Sequence, residues 1–190
     1  MKPAVTLIIE GPDGAGKTTL VERLRKVFAP SSKIAFTHHG AYLGETEIMP
    51  HYLKPLLGAH RAKVAGQTLT TILDRSWLAE PIYADAMRDG KSRISAQQYQ
   101  VLEQLLLDVG GVVILCLPAL ATCHRAWAGR REREYLDARH KLEQVWVGYH
   151  DAFHTWAARG LTVLMYDYES DSELEDLLPI LQQLTGVSTC

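Results

Sequence analysis

Residues 11–18 read Gly11-Pro12-Asp13-Gly14-Ala15-Gly16-Lys17-Thr18 and carry the strongest signal in this chain of 190 residues. They match the pattern G-x-x-x-x-G-K-[ST] without deviation. An apolar run that predicts a strand, residues 4–10, precedes them, and a segment that predicts a helix, residues 17–28, follows. Glycines let the backbone turn its N–H groups inward, and the amino end of a helix adds about half a positive charge. We call this stretch the phosphate loop, because it predicts a site for phosphate groups.

The side chains of the phosphate loop predict how a nucleoside triphosphate and its metal are held. We expect Lys17 to reach the β- and γ-phosphates of ATP, and the hydroxyl of Thr18 to ligate Mg²⁺. The expected nucleotide-binding residues are Gly11, Asp13, Gly14, Ala15, Gly16, Lys17, Thr18 and Thr19.

The rest of the chain alternates between strand and helix patterns. Further strands are predicted at 34–37, 69–73, 112–117 and 161–166, and helices at about 45–65, 78–88, 95–109, 135–159 and 172–184. Five strands separated by helices predict an α/β fold with a mostly parallel sheet covered on both faces, a three-layer α/β/α sandwich. Ligands bind such sheets beyond the carboxyl ends of the strands, where the phosphate loop falls. We expect residues 1–190 to form a single domain.

Composition excludes several classes of protein. Hydrophobic residues make up 47% and charged residues 22% of the chain, which is ordinary for a soluble globular protein. The apolar runs are far shorter than the ~20 residues of a membrane span, so we expect no membrane partner and a cytoplasmic location. Three cysteines without metal spacing predict neither a disulfide framework nor a zinc site. A net charge of −2 disfavours a general nucleic-acid coat.

A second motif, Asp74-Arg75-Ser76, follows the third predicted strand. A carboxylate at this strand end can hold Mg²⁺, directly or through water. The adjacent arginine can pair with an acceptor phosphate or orient the acceptor. The N-K-x-D string with which a GTPase reads guanine does not occur in the sequence. Asp74 is therefore a candidate metal-binding and substrate-binding residue, and Arg75 is a candidate substrate-binding and catalytic residue, of an ATP-dependent protein.

These motifs resemble those of one family. Residues 10–19, Asp74-Arg75-Ser76 and the arginine-rich segment 125–133 are similar to the thymidylate-kinase-like branch of P-loop nucleoside and nucleotide kinases, and a helix with Val145 and Tyr149 follows as in that branch. The resemblance implies a P-loop NTPase fold of the nucleoside monophosphate kinase type. It also implies an enzyme that uses ATP and Mg²⁺ to phosphorylate an acceptor.

The resemblance implies roles for three residues on the acceptor side. Asp13, at the third position of the phosphate loop, corresponds to the acidic residue that meets the acceptor sugar. Arg75 corresponds to the arginine that binds the acceptor phosphate. Tyr83, nine residues after Asp74, corresponds to the aromatic residue that stacks on the thymine ring.

The arginine-rich segment has two interpretations. One is a mobile lid at about 122–136 whose arginines stabilise charge on the transferring phosphoryl group, with Gly129 as its hinge. The candidate catalytic arginines are Arg125, Arg130 and Arg131, with Arg133 as a weaker candidate. The other interpretation is a solvated helix face with ion pairs at i,i+3 and i,i+4 spacing.

The chain departs from the family pattern after the second predicted strand. Thymidylate kinases carry an Arg-Glu-Pro-Gly-Gly string there, whereas this chain has Thr37-His38-His39-Gly40-Ala41-Tyr42. The two histidines are either ordinary strand-end residues or groups that contact the acceptor with a charge tunable near neutral pH. We take His39 as a candidate substrate-binding residue.

Two acceptors are open within this class. The leading expectation is transfer of the γ-phosphate of ATP to a thymine-type deoxynucleotide such as dTMP. The departure at residues 37–42, together with residues 74–83, is also similar to bacteriophage kinases of this branch. Some of these are 5-hydroxymethyluracil DNA kinases, which phosphorylate the base hydroxymethyl group within DNA during thymine hypermodification. Trp77, Tyr83 and Trp127 would then stack on an extruded base, and Asp13 would accept the hydroxyl proton.

A function of another class is also open, namely an ATP-binding regulator or an ATPase that hydrolyses ATP without an acceptor. The expected cofactors of the leading interpretation are ATP and Mg²⁺. Its expected partners are a thymine-type nucleotide or DNA that contains 5-hydroxymethyluracil, and a second copy of the chain in a homodimer. A bacteriophage origin would place the protein in the host cytoplasm.

Overall fold

The computed structural model describes residues 4–30, 33–39, 48–129, 139–169 and 173–185. In these residues five strands form one parallel sheet in the order β2-β3-β1-β4-β5. The strands are β1 (Val5–Glu10), β2 (Lys33–His38), β3 (Leu69–Asp74), β4 (Val112–Cys116) and β5 (Thr162–Tyr166). All five were predicted to within about one residue at each end. The α/β class with a parallel five-stranded sheet is confirmed.

The burial of the central strands explains why the sequence pattern predicted them. Every residue of β1 and β4 is buried, and so is all of β3 except its half-buried first residue, whereas the edge strands β2 and β5 are largely exposed or half-buried. A strand covered on both faces reads as a continuous apolar run. The core of the protein therefore lies around β1, β3 and β4, directly beneath the phosphate loop.

Helices cover both faces of the sheet. They are α1 (Lys17–Phe28), α2 (Met49–Val64), α3 (Glu80–Met87), α4 (Ala96–Val109), α5 (Leu120–Ala128), α6 (Arg139–Ala158) and α7 (Glu173–Thr185). The right-handed crossover rule places α1 on one face and the helices of the later crossovers on the other. The packing agrees, because α1 contacts β1 and β3, while α2 packs on α4 and α3 packs on α6. No helix in the described residues is long and apolar enough to cross a membrane.

Local signals set several helix ends. Ser95 and Gln98 form a capping box at the start of α4, and Gly110 ends it in a left-handed conformation with φ 68°. The helix predicted at 78–88 begins instead as a 3₁₀ turn, Trp77–Ala79, because the Ser76 hydroxyl accepts a hydrogen bond from the Leu78 N–H.

One predicted helix starts later than the sequence pattern suggested, one is described only from Arg139, and one helix was not predicted separately. The predicted helix 45–65 is observed from Met49, and residues 40–47 lie outside the described residues. The predicted helix 135–159 is observed from Arg139, and residues 130–138 lie outside them as well. Leu120–Ala128, part of the arginine-rich region, is the additional helix α5.

The register of the sheet brings its polar strand ends together. Asp74 at the end of β3 pairs with Ile9 of β1 on one side and with His38 of β2 on the other. Glu10, the last residue of β1, pairs with Leu115 of β4. The carboxyl edge therefore places His38, Asp74 and Glu10 on three adjacent strands, next to the phosphate loop.

Candidate active site

The phosphate loop adopts the predicted position between β1 and α1, and two of its glycines are required by its geometry. Gly11 has φ +142°, and a Cβ atom there would lie 2.1 Å from the carbonyl oxygen of Cys116 at the end of β4. Gly16 has φ +77°, and a Cβ atom there would lie 2.5 Å from the ring of Tyr168. A side chain at either position would meet both a clash and a strained backbone.

Lys17 folds back over the phosphate loop. Its Nζ donates hydrogen bonds to the carbonyl oxygens of Gly11 at 2.7 Å and Pro12 at 2.6 Å, and the residue is buried. Burial, followed by the positive charge of Arg75, lowers the pKa of Lys17 from 10.5 to about 8. The Lys17 Nζ therefore lies at the phosphate loop before any ligand binds. A negatively charged ligand there would raise its pKa and favour the protonated form.

The remaining loop residues differ in how open they are. Ala15 is buried, and its N–H donates to the carbonyl of Pro12. Thr18 and Thr19 are exposed in the first turn of α1. The hydroxyls at the helix start are therefore accessible to a ligand, while the inner side of the loop is packed against the protein.

The structure brings three residues with expected acceptor-side roles, Asp13, Arg75 and Tyr83, together in one cluster at the phosphate loop. The Arg75 guanidinium donates to Oδ1 of Asp13 at 2.7 Å and to the Tyr83 hydroxyl at 3.4 Å. The Tyr83 hydroxyl in turn donates to Oδ2 of Asp13 at 3.3 Å. Burial raises the pKa of Tyr83, so its hydroxyl stays protonated and remains a donor.

The backbone conformation of Arg75 directs its side chain into this cluster. Its φ of +72° is unusual for a residue with a side chain, and its N–H donates to the carbonyl oxygen of Ile9 at 2.9 Å. This turn directs the side chain from the end of β3 toward the phosphate loop. Tyr83 is buried and meets Tyr149 edge-to-face with ring centroids 6.4 Å apart. Its ring is packed in the protein interior, which differs from the predicted role as a stacking platform.

Asp74 does not face this cluster but turns toward β2. His38 Nδ1 donates to Oδ2 of Asp74 at 2.7 Å. The Asp74 side chain is 4% exposed and the His38 side chain 52% exposed. The other carboxylate oxygen of Asp74, Oδ1, is buried and has no hydrogen-bond partner among the described residues. The pair is therefore an enclosed carboxylate that holds an open imidazole ring at the carboxyl edge of the sheet.

His39 lies one residue further and is enclosed. Its N–H donates to the carbonyl of Asp74 at 2.9 Å, and its ring lies 4.9 Å from that of Tyr52. Burial, followed by the nearby His51 and His38, lowers the pKa of His39 from 6.5 to about 4. The interpretation of His39 as a group with a charge tunable near neutral pH is therefore not supported, because the ring stays neutral there.

The metal that accompanies ATP can be tested against these side chains. Thr18 presents its hydroxyl at the exposed start of α1, beside the phosphate loop, and fits Mg²⁺ as a ligand. Asp74 has one oxygen on His38 and the other fully buried. A direct metal ligand needs an open oxygen, so the geometry disfavours direct ligation by Asp74.

Glu10 is a functional candidate that sequence reasoning did not single out. Its buried carboxylate accepts a hydrogen bond from the Ser76 hydroxyl at 2.6 Å on Oε1 and from the Tyr149 hydroxyl at 2.9 Å on Oε2. Burial raises its pKa from 4.5 to about 7, although both hydroxyls and the nearby Lys17 oppose the rise. A carboxylate ending an otherwise apolar strand was the available signal, since such a group must find partners.

The arginine-rich region is described only in its first half. Arg125 on α5 is largely exposed, and its guanidinium donates to Thr122 Oγ1 at 2.7 Å and to Glu169 Oε1 at 2.8 Å. Glu169 follows β5, so this ion pair joins α5 to the carboxyl edge of the sheet. Arg130 and Arg131, together with Arg133, lie outside the described residues, as does the second half of the predicted lid at 122–136.

Aromatic residues around the site are mostly packed. Trp77 is fully buried, and Trp127 is half-buried and packed against the core. Trp77 therefore offers no surface to an extruded base. Tyr168, which the sequence did not single out, lies over the loop, and its hydroxyl donates to the Gly14 carbonyl at 3.3 Å.

A large groove lies elsewhere on the molecule. It has a volume of about 1060 Å³ and runs between α3, α4 and α6. None of the predicted site residues lines it. The volume of a cavity would therefore not identify the phosphate loop as the candidate active site.

Comparison with known proteins addresses the fold. No protein-family model and no curated protein sequence matches the chain. Among solved structures it is similar to the YorR protein of Bacillus subtilis in complex with phosphorylated GDP, with 18% identity, a TM-score of 0.68, and coverage of 95% of this chain and 96% of that one. It is also similar to deoxyadenosine kinase from M. mycoides with bound dATP, with 18% identity, a TM-score of 0.57, and coverage of 94% and 99%. The chain has the P-loop kinase fold.

This P-loop kinase fold extends over almost the whole chain, since the same deoxyadenosine kinase with bound dCTP, at 19% identity and a TM-score of 0.57, is matched over 94% of this chain and 100% of that one. The predicted nucleoside-kinase-like architecture is thereby confirmed. At 18–19% identity the similarity shows the fold. The chemistry depends on the side chains at the carboxyl edge of the sheet.

Proposed function

We propose that this protein is an ATP-dependent phosphotransferase that moves the γ-phosphate of ATP to a nucleotide-type acceptor. The observation that carries the proposal is the joint placement, at one edge of the sheet, of the phosphate loop with Lys17 and of the Asp13–Arg75 pair, 2.7 Å apart. A triphosphate held at the loop would present its terminal phosphate toward that pair. Phosphoryl transfer needs mainly positioning and charge stabilisation, which such an arrangement supplies.

On the donor side, the loop amides and Lys17 hold the phosphates. Lys17 exchanges the carbonyl oxygens of Gly11 and Pro12 for phosphate oxygens when ATP binds. Thr18 would hold Mg²⁺, which when bound would neutralise charge on the phosphate oxygens. Arg125 lies near this side and, with Arg130 and Arg131, remains a candidate for contact with the transferring group.

On the acceptor side, Arg75 orients the acceptor and Asp13 fixes Arg75. We propose a thymine-type deoxynucleotide as the acceptor, on the resemblance of residues 10–19 and 74–76 to the thymidylate-kinase-like branch. Bound dATP and dCTP in the structurally similar deoxyadenosine kinase fit a nucleotide ligand for this fold. The accepting group is either the phosphate of a mononucleotide such as dTMP or a hydroxyl such as the hydroxymethyl group of 5-hydroxymethyluracil in DNA.

Transfer of label from [γ-³²P]ATP tests the proposal. The full chain is incubated with Mg²⁺ and with dTMP, thymidine or a duplex that contains 5-hydroxymethyluracil. We expect label in at least one acceptor, and a loss of at least about 100-fold in kcat for Lys17→Ala. Lys63→Ala is the matched control, because Lys63 is an exposed lysine on α2 whose Nζ donates to the carbonyl of Asp108 on α4, away from the phosphate loop.

The same assay separates the proposal from the ATPase alternative. Phosphate release that continues undiminished without any acceptor, with no label transferred, would favour hydrolysis and contradict the phosphotransferase. Label transfer that survives Lys17→Ala would contradict the role of the phosphate loop.

A further inference from the structure

We infer that His150 and His154 on α6 form a metal site that takes a divalent transition-metal ion such as Zn²⁺. The site is made by residues of α6 alone, so the inference goes beyond the proposed function and does not depend on it. Three observations carry it, namely the helical spacing of the two imidazoles, the contacts that hold each ring, and a carboxylate that contacts one of them.

The spacing of the two histidines suits a shared ion. His150 and His154 are both exposed and lie one turn apart on α6, and side chains at i and i+4 of a helix are neighbours on one face. Their ring centroids are 6.2 Å apart, with an angle of 77° between the rings. Zn²⁺ binds an imidazole nitrogen at about 2.0–2.1 Å. A single ion between the rings can therefore bond one nitrogen of each, with small adjustments of the side chains.

Neighbouring aromatic side chains hold both rings. The ring of Trp146 stacks on that of His150, with centroids 5.7 Å apart and 19° between the planes. Trp146 is itself fixed, because its Nε1 donates to the carbonyl oxygen of Pro118 at 2.9 Å. The ring of Phe153 meets His154 edge-to-face at 5.1 Å. The two imidazoles therefore lose less conformational freedom on binding an ion than a pair of unsupported surface histidines would.

Asp151 supplies the outer contact that metal-binding histidines usually make. Its Oδ1 lies 3.3 Å from Nδ1 of His150. A carboxylate only accepts hydrogen bonds, so Nδ1 carries the proton, and Nε2 is left with the lone pair that a metal ion requires. A carboxylate in this position fixes the tautomer of the ring and makes the nitrogen that binds the metal more basic.

The ligand chemistry selects the class of ion. Imidazole suits Zn²⁺, Cu²⁺ and Ni²⁺, whereas Mg²⁺ prefers oxygen ligands, so the Mg²⁺ that accompanies ATP would not compete for this pair. Within the part of the chain that the structure describes, no group of three or more His, Cys, Asp or Glu side chains is arranged to hold a metal. Two protein ligands would therefore hold the ion, and water would complete its coordination. Such a site predicts reversible binding.

An ion at this pair would reinforce α6. Bonds to both histidines bridge one turn of the helix, and an ion that binds only the folded state stabilises it. His150 directly follows Tyr149, whose hydroxyl donates to Glu10 at 2.9 Å. The bridged turn is therefore the one that fastens α6 to the end of β1. We expect added Zn²⁺ to raise the melting temperature of the protein.

Calorimetric titration with ZnCl₂ tests the site on the full chain, without a histidine tag and without ATP. We expect one Zn²⁺ per chain at this site, which excess Mg²⁺ does not displace. His150→Gln and His154→Gln each remove one ligand and should weaken binding by at least about 100-fold, and Asp151→Asn should weaken it by about tenfold. Both histidine variants should also lose the rise in melting temperature that Zn²⁺ gives the wild type.

His140→Gln is the matched control, because His140 is an exposed histidine of the same helix that does not belong to the pair; it should bind Zn²⁺ like the wild type. Electron paramagnetic resonance of the Cu²⁺-loaded protein should show two imidazole nitrogens on the metal in wild type and one in either histidine variant. Thermal melting without metal verifies that the variants fold. Absence of Zn²⁺ binding in wild type, or undiminished binding in both histidine variants, would overturn the inference whatever the phosphotransfer assay shows.

Discussion

The Arg75 guanidinium and the Asp13 carboxylate meet across 2.7 Å and join the end of β3 to the phosphate loop, although 62 residues separate them in the chain. Asp13 is almost completely buried, so the contact replaces its lost hydration. The same contact holds the arginine in place where an acceptor would meet ATP. Under the proposed function, stability and activity should both depend on this ion pair, and its removal should affect both.

Arg75→Ala should lower kcat/KM for the acceptor on the order of 100-fold, because a charge-assisted hydrogen bond is lost from the acceptor side. The free energy of unfolding should fall on the order of 3 kcal/mol, because Asp13 is left buried without its cation. Steady-state kinetics and urea unfolding measure the two effects. Arg159→Ala, which breaks a surface pair with Glu103, is the control and should change neither by much. Unchanged acceptor kinetics in Arg75→Ala would contradict the assignment.

Glu10 should make the stability of the protein depend on pH. Burial raises its pKa from 4.5 to about 7, so its neutral form is the one that the folded state favours. The stabilisation is fully present below pH 4.5 and is lost as the pH rises toward 7. Relative to Glu10→Gln, the wild type should therefore lose stability between these values, on the order of 3 kcal/mol.

Urea unfolding at a series of pH values measures the difference between the Glu10 variant and wild type. Glu22→Gln, an exposed residue of α1, is the matched control and should run parallel to wild type. A Glu10→Gln curve that also runs parallel to wild type would show that the carboxyl group is not perturbed.

Lys17 should take up protons when ATP binds near pH 8. Burial lowers the pKa of Lys17 from 10.5 to about 8, so part of the protein carries a neutral amine at that pH. Phosphate oxygens favour the charged form, and binding should therefore draw protons from the buffer. Calorimetry at pH 8 in buffers of different ionisation enthalpy measures the uptake. Lys17→Met should abolish it, and a binding heat that is independent of the buffer in wild type would refute the prediction.

Gly16→Ala should weaken ATP binding by at least about tenfold. The new methyl group would lie 2.5 Å from the Tyr168 ring on a backbone with φ +77°, so both the ring and the turn must shift. Calorimetric titration with a non-hydrolysable ATP analogue measures the loss. Gly58→Ala is the control, because α2 leaves open space there and alanine favours a helix interior; it should bind normally and gain about 0.5–1 kcal/mol in stability. Equal binding by the two variants would contradict the loop geometry.

Much of the fold was predictable because its strands and helices are marked by patterns of neighbouring residues in the sequence. The central strands are continuous apolar runs, since both of their faces are covered, and α4 is marked by its Ser95 capping box and by Gly110. The phosphate loop was predictable because its glycines, Lys17 and Thr18 form a motif within residues 11–18. The helix α5 was not identified separately, because residues 122–128 were assigned to the predicted arginine-rich lid at about 122–136.

The partners within the site were less predictable, because they depend on register and on long separations in the chain. The sequence contains no signal that His38 would pair with Asp74, which follows from the alignment of β2 with β3. The contact of Glu10 with Tyr149 joins residues 139 positions apart. Motifs named Asp13, Arg75 and Tyr83 as members of one site, but only packing revealed that the Tyr83 ring is enclosed rather than presented to a ligand.

The close approach of Gly11 to the Cys116 carbonyl has a consequence for how the phosphate loop would bind a nucleotide. The entry to the loop is seated on the end of a central strand, so its amides are oriented before any nucleotide arrives. The conformational entropy of the phosphate loop is therefore lost during folding, and its ordering would not reduce the affinity for ATP. Under the proposed function, this preorganisation would leave the interaction energy of the donor available for aligning the acceptor.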